Sequence, residues 1–177
     1  MTHLVPSGRH AVPVRLAVNQ KVVEALVEGR TSLLDLIRHI GLTGTHAGCE
    51  QGVCGACTVL LDGEPVRSCL VLALQASDCA VTTVESLGDP GNPHLLQQMF
   101  SHEHSLQCGF CTPGFLMLAL GLLNREEGAD TLTHEEIRKV LSSNLCRCTG
   151  YEPIVAAVER VAVARGLMGN VRAEPET

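Results

Sequence analysis

Nine cysteines stand in a chain of 177 residues, and eight of them fall into two sets of four by spacing. Cys49, Cys54, Cys57 and Cys69 lie within CEQGVCGACTVLLDGEPVRSC; Cys108, Cys111, Cys146 and Cys148 lie within LQCGFCTPG and NLCRCTG. Taken alone, Cys108-x-x-Cys111 is a redox dithiol, half of a zinc site or half of an iron–sulfur site. The dithiol reading needs a βαβ setting, and no such pattern surrounds it. Structural zinc favours paired C-x2-4-C knuckles, whereas the first set opens C-x4-C-x2-C with a fourth cysteine further on.

That opening is the plant-type spacing for a [2Fe–2S] cluster. Two ferric ions, two sulfides and four thiolates sum to a charge of −2, and reduction makes it −3. An anion of this kind needs backbone N–H groups near its sulfurs. Gly48, Gly52 and Gly55 allow that approach and can take positive φ. In the second set a C-x-C pair suits neither thioredoxin chemistry nor a zinc knuckle. Both of its pairs end directly before a predicted helix, whose positive end favours thiolate and cluster charge. QCGFCTPG followed about 35 residues later by LCRCTG therefore reads as a second [2Fe–2S] site. Cys79 is left over, with no ligand spacing around it. His102 and His104 lie near the second set, but a Rieske centre needs His in place of two Cys; four cysteines are present, so the two histidines read as a polar loop.

Composition narrows the setting. Net charge is −6 and the 13 Lys and Arg are scattered, which speaks against a nucleic-acid surface. Aromatics are 2% of residues, so the core must be built from Leu, Val, Ile and Ala, or share its volume with something that is not a side chain. MTHLVPSGRHAVPV lacks the apolar run of a signal peptide. The longest apolar stretch, Phe115 to Leu123, is about half of a membrane span. The expectation is a cytoplasmic protein with no membrane span and with reduced thiols.

Two halves with different periodicity must position these thiols. Val12, Val14, Leu16 and Val18 alternate, and Val22 to Val27 follows an Asn19-Gln20 turn, which predicts a β-hairpin. Thr31-Ser32 precedes Leu33, Leu34, Leu36, Ile37 and Ile40, an amphipathic helix. Cys57 to Leu61 and Pro65 to Ser68 flank Asp62-Gly63, a second hairpin. A short helix over Leu70 to Gln75 and a strand over Val81 to Val84 complete an α+β unit. Gly88-Asp89-Pro90-Gly91-Asn92-Pro93 reads as a linker. Helices are then predicted over His94–Phe100, Pro113–Asn124, Glu135–Ser142 and Pro153–Arg165. Thr112 is expected as the N-cap of the second, Thr133 with Glu136 as a capping box on the third, and Gly166 as the C-cap of the fourth. The domain boundaries expected are 12–87 and 93–166, with tails at 1–11 and 167–177; the polar end GNVRAEPET is expected to be disordered. A weak repeat is visible in the helical half. Each copy is a helix, a turn with two cysteines, a threonine and a second helix, so two copies about a two-fold axis bring the cysteine pairs together.

CEQGVCGACTVLLDGEPVRSC, LQCGFCTPGFLM and NLCRCTGYEPIV together resemble the small iron–sulfur subunit of molybdenum hydroxylases, the family of xanthine dehydrogenase, carbon monoxide dehydrogenase and aldehyde oxidoreductase. The resemblance runs from about Val12 to Val163. It implies an α+β fold: a plant-type ferredoxin-like β-grasp domain followed by an all-α four-helix domain, each with one [2Fe–2S] cluster. It implies an electron-transfer subunit with no catalytic residue of its own, relaying electrons from the molybdenum cofactor to FAD or another acceptor. The implied partners are a large molybdopterin-binding subunit and a FAD-binding medium subunit, in a heterotrimer able to dimerise. Gln107 matches the residue that hydrogen-bonds the pterin, and Cys148 the ligand whose surroundings touch it. Ser143 departs from the glycine frequent in the family motif, and Asn19-Gln20 from the usual Asn-Gly. The competing readings are a free-standing two-cluster ferredoxin and a zinc-dependent interaction module.

Overall fold

The computed structural model describes residues 2–4, 11–125 and 132–168. The expected disorder of GNVRAEPET falls outside these residues. Strand β2 (Ala11–Val18) turns through Asn19 and Gln20, both at positive φ, into β3 (Lys21–Glu28). Two successive positive φ values match the right-handed twist of the strands, and asparagine tolerates the first of them. The register places Val14, Leu16 and Val18 on one face with Val23, Ala25 and Val27, all buried. Helix α1 (Leu33–His39) starts on Ser32, whose hydroxyl accepts from the Asp35 N–H, and buries Leu33, Leu34, Leu36 and Ile37. Strands β4 (Thr58–Leu61) and β5 (Glu64–Arg67) form the second hairpin around Asp62 and Gly63.

Short β6 (Ala80–Thr82) lies parallel to β2 and antiparallel to β4, joining the two hairpins into one sheet. A further strand, β1 (Thr2–Leu4), pairs parallel with β3, so the order is β1-β3-β2-β6-β4-β5. Residues 1–11 are expected as a tail from the sequence; three residue pairs with β3 carry too little pattern to show there. The short helix expected over Leu70 to Gln75 is instead a 3₁₀ turn at Ala73–Ala76. The strand expected over Val81 to Val84 ends at Thr82, and Val84–Ser86 forms another 3₁₀ turn. The first shift follows the packing: Leu70 and Leu72 stay exposed, while Ala73 and Ala76 are buried under the sheet.

Four helices follow: α2 (Leu95–His102), α3 (Thr112–Arg125), α4 (His134–Leu141) and α5 (Glu152–Ala164). The Thr133–Glu136 capping box forms, with each side chain bonded to the other's backbone N–H. Gly166, at φ +70, donates to Val163, and Leu167 N–H donates to Ala162, a Schellman end. Leu167 is buried in the helical core rather than part of a tail. Thr112 is not the N-cap expected of it. It is the first residue of α3, and its hydroxyl is buried without a partner.

The two cores meet along α3. Leu60 of β4 belongs to the helical core, and α3 packs on β4 and β5. A Cβ on Gly114 would fall 2.3 Å from Gly55 O and 3.0 Å from Ala56 Cα. About two turns later, a Cβ on Gly121 would fall 2.3 Å from Pro65 Cγ. The small residues let the helix backbone lie directly against the loop that carries the first cysteine set.

Candidate metal centres

All nine cysteines are free thiols, and eight stand in pairs. The first set lies in the loop between α1 and β4 and just after β5. There the Cys54 and Gln51 N–H groups donate to Cys49 Sγ at 3.3 and 3.4 Å. These donors, the Cys54 backbone foremost, lower the Cys49 thiol to about 6. Cys49 is also side-chain partner to Cys54, and Cys57 to Cys69. Burial first, and then Cys57, pushes Cys69 up to about 11. A Cβ on Gly48 would come within 3.0 Å of Cys54 Sγ, so glycine there leaves room beside the thiols.

The second set is assembled by the two helix-turn units. Cys108 Sγ and Cys148 Sγ are 3.6 Å apart, and Cys111 is partner to Cys146. Burial, followed by Cys146, raises Cys111 to about 12. For Cys146 burial acts upward, but the Thr149 hydroxyl and backbone outweigh it and the thiol is lowered; Thr149 Oγ1 donates to Cys146 Sγ at 3.1 Å. Cys148 is raised, chiefly by its hydrogen bond with Cys108. At Cys111 and Cys146, where one thiol is raised and the other lowered, a proton kept on Cys111 avoids a second anion beside Cys146.

Thiols in twos suit a binuclear centre, in which each iron takes two of the four thiolates. Among the described residues no group of three or more His, Cys, Asp or Glu converges as the ligands of one ion. The donors, the nearby N–H groups, the glycine clearances and the α3 N-terminus after Cys111 all fit a [2Fe–2S] cluster in each set.

Gln107 is exposed, and its Nε2 donates to the carbonyl of Cys148 at 3.0 Å. It therefore spans the two halves of the second set. Cys79 stands apart, half-buried at the start of β6, with Sγ directed to Ser77 O and its thiol raised by burial and by Asp62. His102 bonds Glu103 and not a thiol.

Several neighbours of the thiols were not legible in the sequence. Leu145 N–H donates to Cys54 O at 2.8 Å, tying the two sets by one hydrogen bond. Arg67 reaches from β5 to Thr58 Oγ1 and to Ser143 O, at 2.8 and 2.9 Å. The Tyr151 hydroxyl accepts from Cys146 N–H and donates to Asn144 O, bracing the turn before α5. His46 stacks on Phe110 with ring centres 4.9 Å apart, and its Nδ1 lies 2.7 Å from Phe110 O. Nothing local to His46, Arg67 or Leu145 signals partners 64, 76 and 91 positions away. Phe110 (49%) and Leu145 (51%) are still half exposed, and Val53, Leu70 and Leu106 are exposed as well. Large apolar side chains thus surround both thiol sets.

Residues 16–82 match the family described as "2Fe-2S iron-sulfur cluster binding domain", and residues 83–159 match "[2Fe-2S] binding domain". The gamma subunit of caffeine dehydrogenase from Pseudomonas sp. strain CBB1 is 50% identical over 84% of this chain and 90% of its own. The crystal structure of quinoline 2-oxidoreductase from Pseudomonas putida 86 superposes with a TM-score of 0.81 at 46% identity, covering 89% of this chain and 96% of that one. The aldehyde oxidoreductase of Desulfovibrio desulfuricans ATCC 27774 matches at 39% identity and TM-score 0.80, over 88% of this chain but 17% of that one.

Proposed function

The chain belongs to the small iron–sulfur subunit family of molybdenum hydroxylases, and from that premise we propose that it relays electrons singly from a molybdenum cofactor on a larger subunit to FAD or another acceptor. Cys49, Cys54, Cys57 and Cys69 hold one [2Fe–2S] cluster, and Cys108, Cys111, Cys146 and Cys148 hold the other. When bound, such a cluster supplies reversible one-electron transfer. The chain's own work is positional. The loop N–H groups stabilise thiolate at Cys49, Thr149 stabilises it at Cys146, and the Gly55–Gly114 contact keeps the two sites close. No side chain here needs to act as acid, base or nucleophile, and catalysis belongs to the assembly.

The observation that carries the reading is the hydrogen bond from Leu145 to Cys54. It joins the residue before Cys146 to a residue of the other set, so two sites from separate domains lie within one short backbone bridge. The position of Gln107, at Cys148 on the exposed side of the helical set, supports a direction for the relay. By family resemblance it faces the pterin, so electrons enter there and leave from the ferredoxin-like set. The apolar rim of Val53, Leu106, Phe110 and Leu145 supports a subunit that is covered in use, because a soluble carrier gains nothing by exposing it. In the Desulfovibrio aldehyde oxidoreductase the matching part is 17% of a longer chain, which fits a large molybdopterin-bearing partner here, with a FAD-binding subunit beside it. Purification of the tagged chain from its native cells tests this. Co-purification of molybdenum and a large subunit is expected. An iron-loaded chain that purifies alone and shuttles electrons between soluble partners would favour the free-standing ferredoxin instead.

A further inference from the structure

Asn144 belongs to the motif of one thiol set, yet its side chain rests on the loop of the other. It is 1% exposed. Its Nδ2 donates to Gly55 O at 3.3 Å. A Cβ placed on Gly55 would lie 2.0 Å from Asn144 Oδ1 and 2.4 Å from its Cγ. Gly55 sits between Cys54 and Cys57 at φ +74, so its peptide is part of the first set's loop. Asn144 Oδ1 has no hydrogen-bond partner. Reversing the amide would set that oxygen against the Gly55 carbonyl, so the N–H donor fixes its orientation. Buried amide atoms are normally hydrogen-bonded, so the unpartnered oxygen calls for a reason.

Its chain neighbours reach the same domain. Leu145 N–H holds Cys54 O, and Ser143 O and Oγ accept from Arg67 at the end of β5. Asn144 and Leu145 thus hold the ferredoxin-like loop at Gly55 and Cys54, while Ser143 holds Arg67, whose guanidinium also donates to Thr58 Oγ1. On the reading that both sets carry [2Fe–2S] clusters, we propose that Asn144 is a positioning residue for the ferredoxin-like centre. Together with the Thr58 N–H and hydroxyl, which donate to the same carbonyl at 3.1 and 2.6 Å, it pins the Gly55 peptide, and so sets the shape of the Cys54–Cys57 segment and the access of water to it. The helical domain thereby builds one wall of the other domain's site.

The test uses the assembled holoenzyme, with a redox titration followed by EPR and with iron loss to a bipyridyl chelator. Cys57→Ser identifies the ferredoxin-like signal by removing it. Asn144→Ala is expected to shift the midpoint potential of that signal and to speed loss of its iron several-fold, leaving the helical-domain signal as in the wild type. Asn144→Asp keeps the side-chain size and sets a carboxylate oxygen against Gly55 O. Negative charge opposes an incoming electron, so this variant is expected to move the same signal to lower potential, and it carries the test if the alanine variant does not accumulate. Wild-type potential and iron retention in the ferredoxin-like signal of these variants, or a shift confined to the helical-domain signal, would overturn the proposal. Absence of iron from the wild type would overturn the two-cluster reading and this inference with it.

Discussion

The Leu145 N–H and the Cys54 carbonyl are hydrogen-bonded at 2.8 Å across 91 residues of sequence. Leu145 immediately precedes Cys146, and Cys54 is itself a thiol of the first set. The bond is backbone to backbone, so neither side chain specifies it. What permits it is the close seating of α3 on the cysteine loop, where Gly114 lies against Gly55 and Ala56.

Two [2Fe–2S]-binding domains call for four iron and four acid-labile sulfide per chain. Metal analysis and visible absorbance check this directly. Cys57→Ser should lose the ferredoxin-like cluster and half of the iron. Cys79→Ser should lose none, because Cys79 lies apart from both sets beside Ser77 and Asp62. Half the iron missing from the Cys79 variant would mean that the sets are wrongly drawn.

Gln107→Ala removes the donor to Cys148 O and an exposed amide that can serve a pterin. Both clusters should still assemble. A hydrogen bond is worth about 0.5–1.5 kcal/mol, which corresponds to a several-fold to roughly tenfold slowing of cluster reduction by substrate. Rapid-mixing kinetics on the assembled enzyme read the effect. Loss of the helical-domain cluster from this variant would show a structural role instead.

Gly114→Ala should loosen the seating of α3. The added Cβ meets backbone on the far side, Gly55 O at 2.3 Å and Ala56 Cα at 3.0 Å, and backbone cannot rotate away. Overpacking of this kind costs about 1–3 kcal/mol. Denaturant unfolding of the holoprotein should show the loss, together with faster release of iron. Unchanged stability would mean that α3 and the loop are not held in this contact.

Acidification should weaken the start of α2. His94 Nδ1 accepts from Leu96 N–H as the N-cap and must be unprotonated to do so. Burial first, then Arg165, lowers the His94 pKa below its ordinary 6.5. The unfolded chain therefore binds the proton more readily, and stability rises with pH across the interval between the two values. The contribution is complete above about 6.5 and is lost as pH falls through the lower folded value. His94→Asn keeps a capping acceptor that does not titrate. Its unfolding midpoint should vary less between pH 7 and pH 5 than that of the wild type.

The elements were legible wherever a signal is local. Alternation over Val14, Leu16 and Val18 marks a strand because side chains on a strand point to opposite faces in turn. Asn19-Gln20 and Asp62-Gly63 mark hairpins because such residues tolerate positive φ, and Thr133 with Glu136 marks a helix start because two side chains satisfy two orphan N–H groups. The thiol sets were equally legible, since the loop chemistry needs cysteines and glycines at short spacings. The misreadings fall where tertiary packing outranks local preference. Leu70 to Gln75 gives up its helix to bury Ala73 and Ala76, and Thr112 loses its capping role when the first turn of α3 is drawn against the cysteine loop.

Spacing and residue type alone divided eight of the cysteines into two sets of four and showed which half is sheet and which is helix. Only the tertiary structure decided which thiols are neighbours, that Leu145 reaches Cys54, and that Asn144 is a wall of the site in the other domain. The reason is physical. A ligand motif is a statement about a few adjacent residues and the ion they meet, whereas the contact of Asn144 with Gly55 exists only after α3 has docked on β4 and β5, and no residue near either position encodes it.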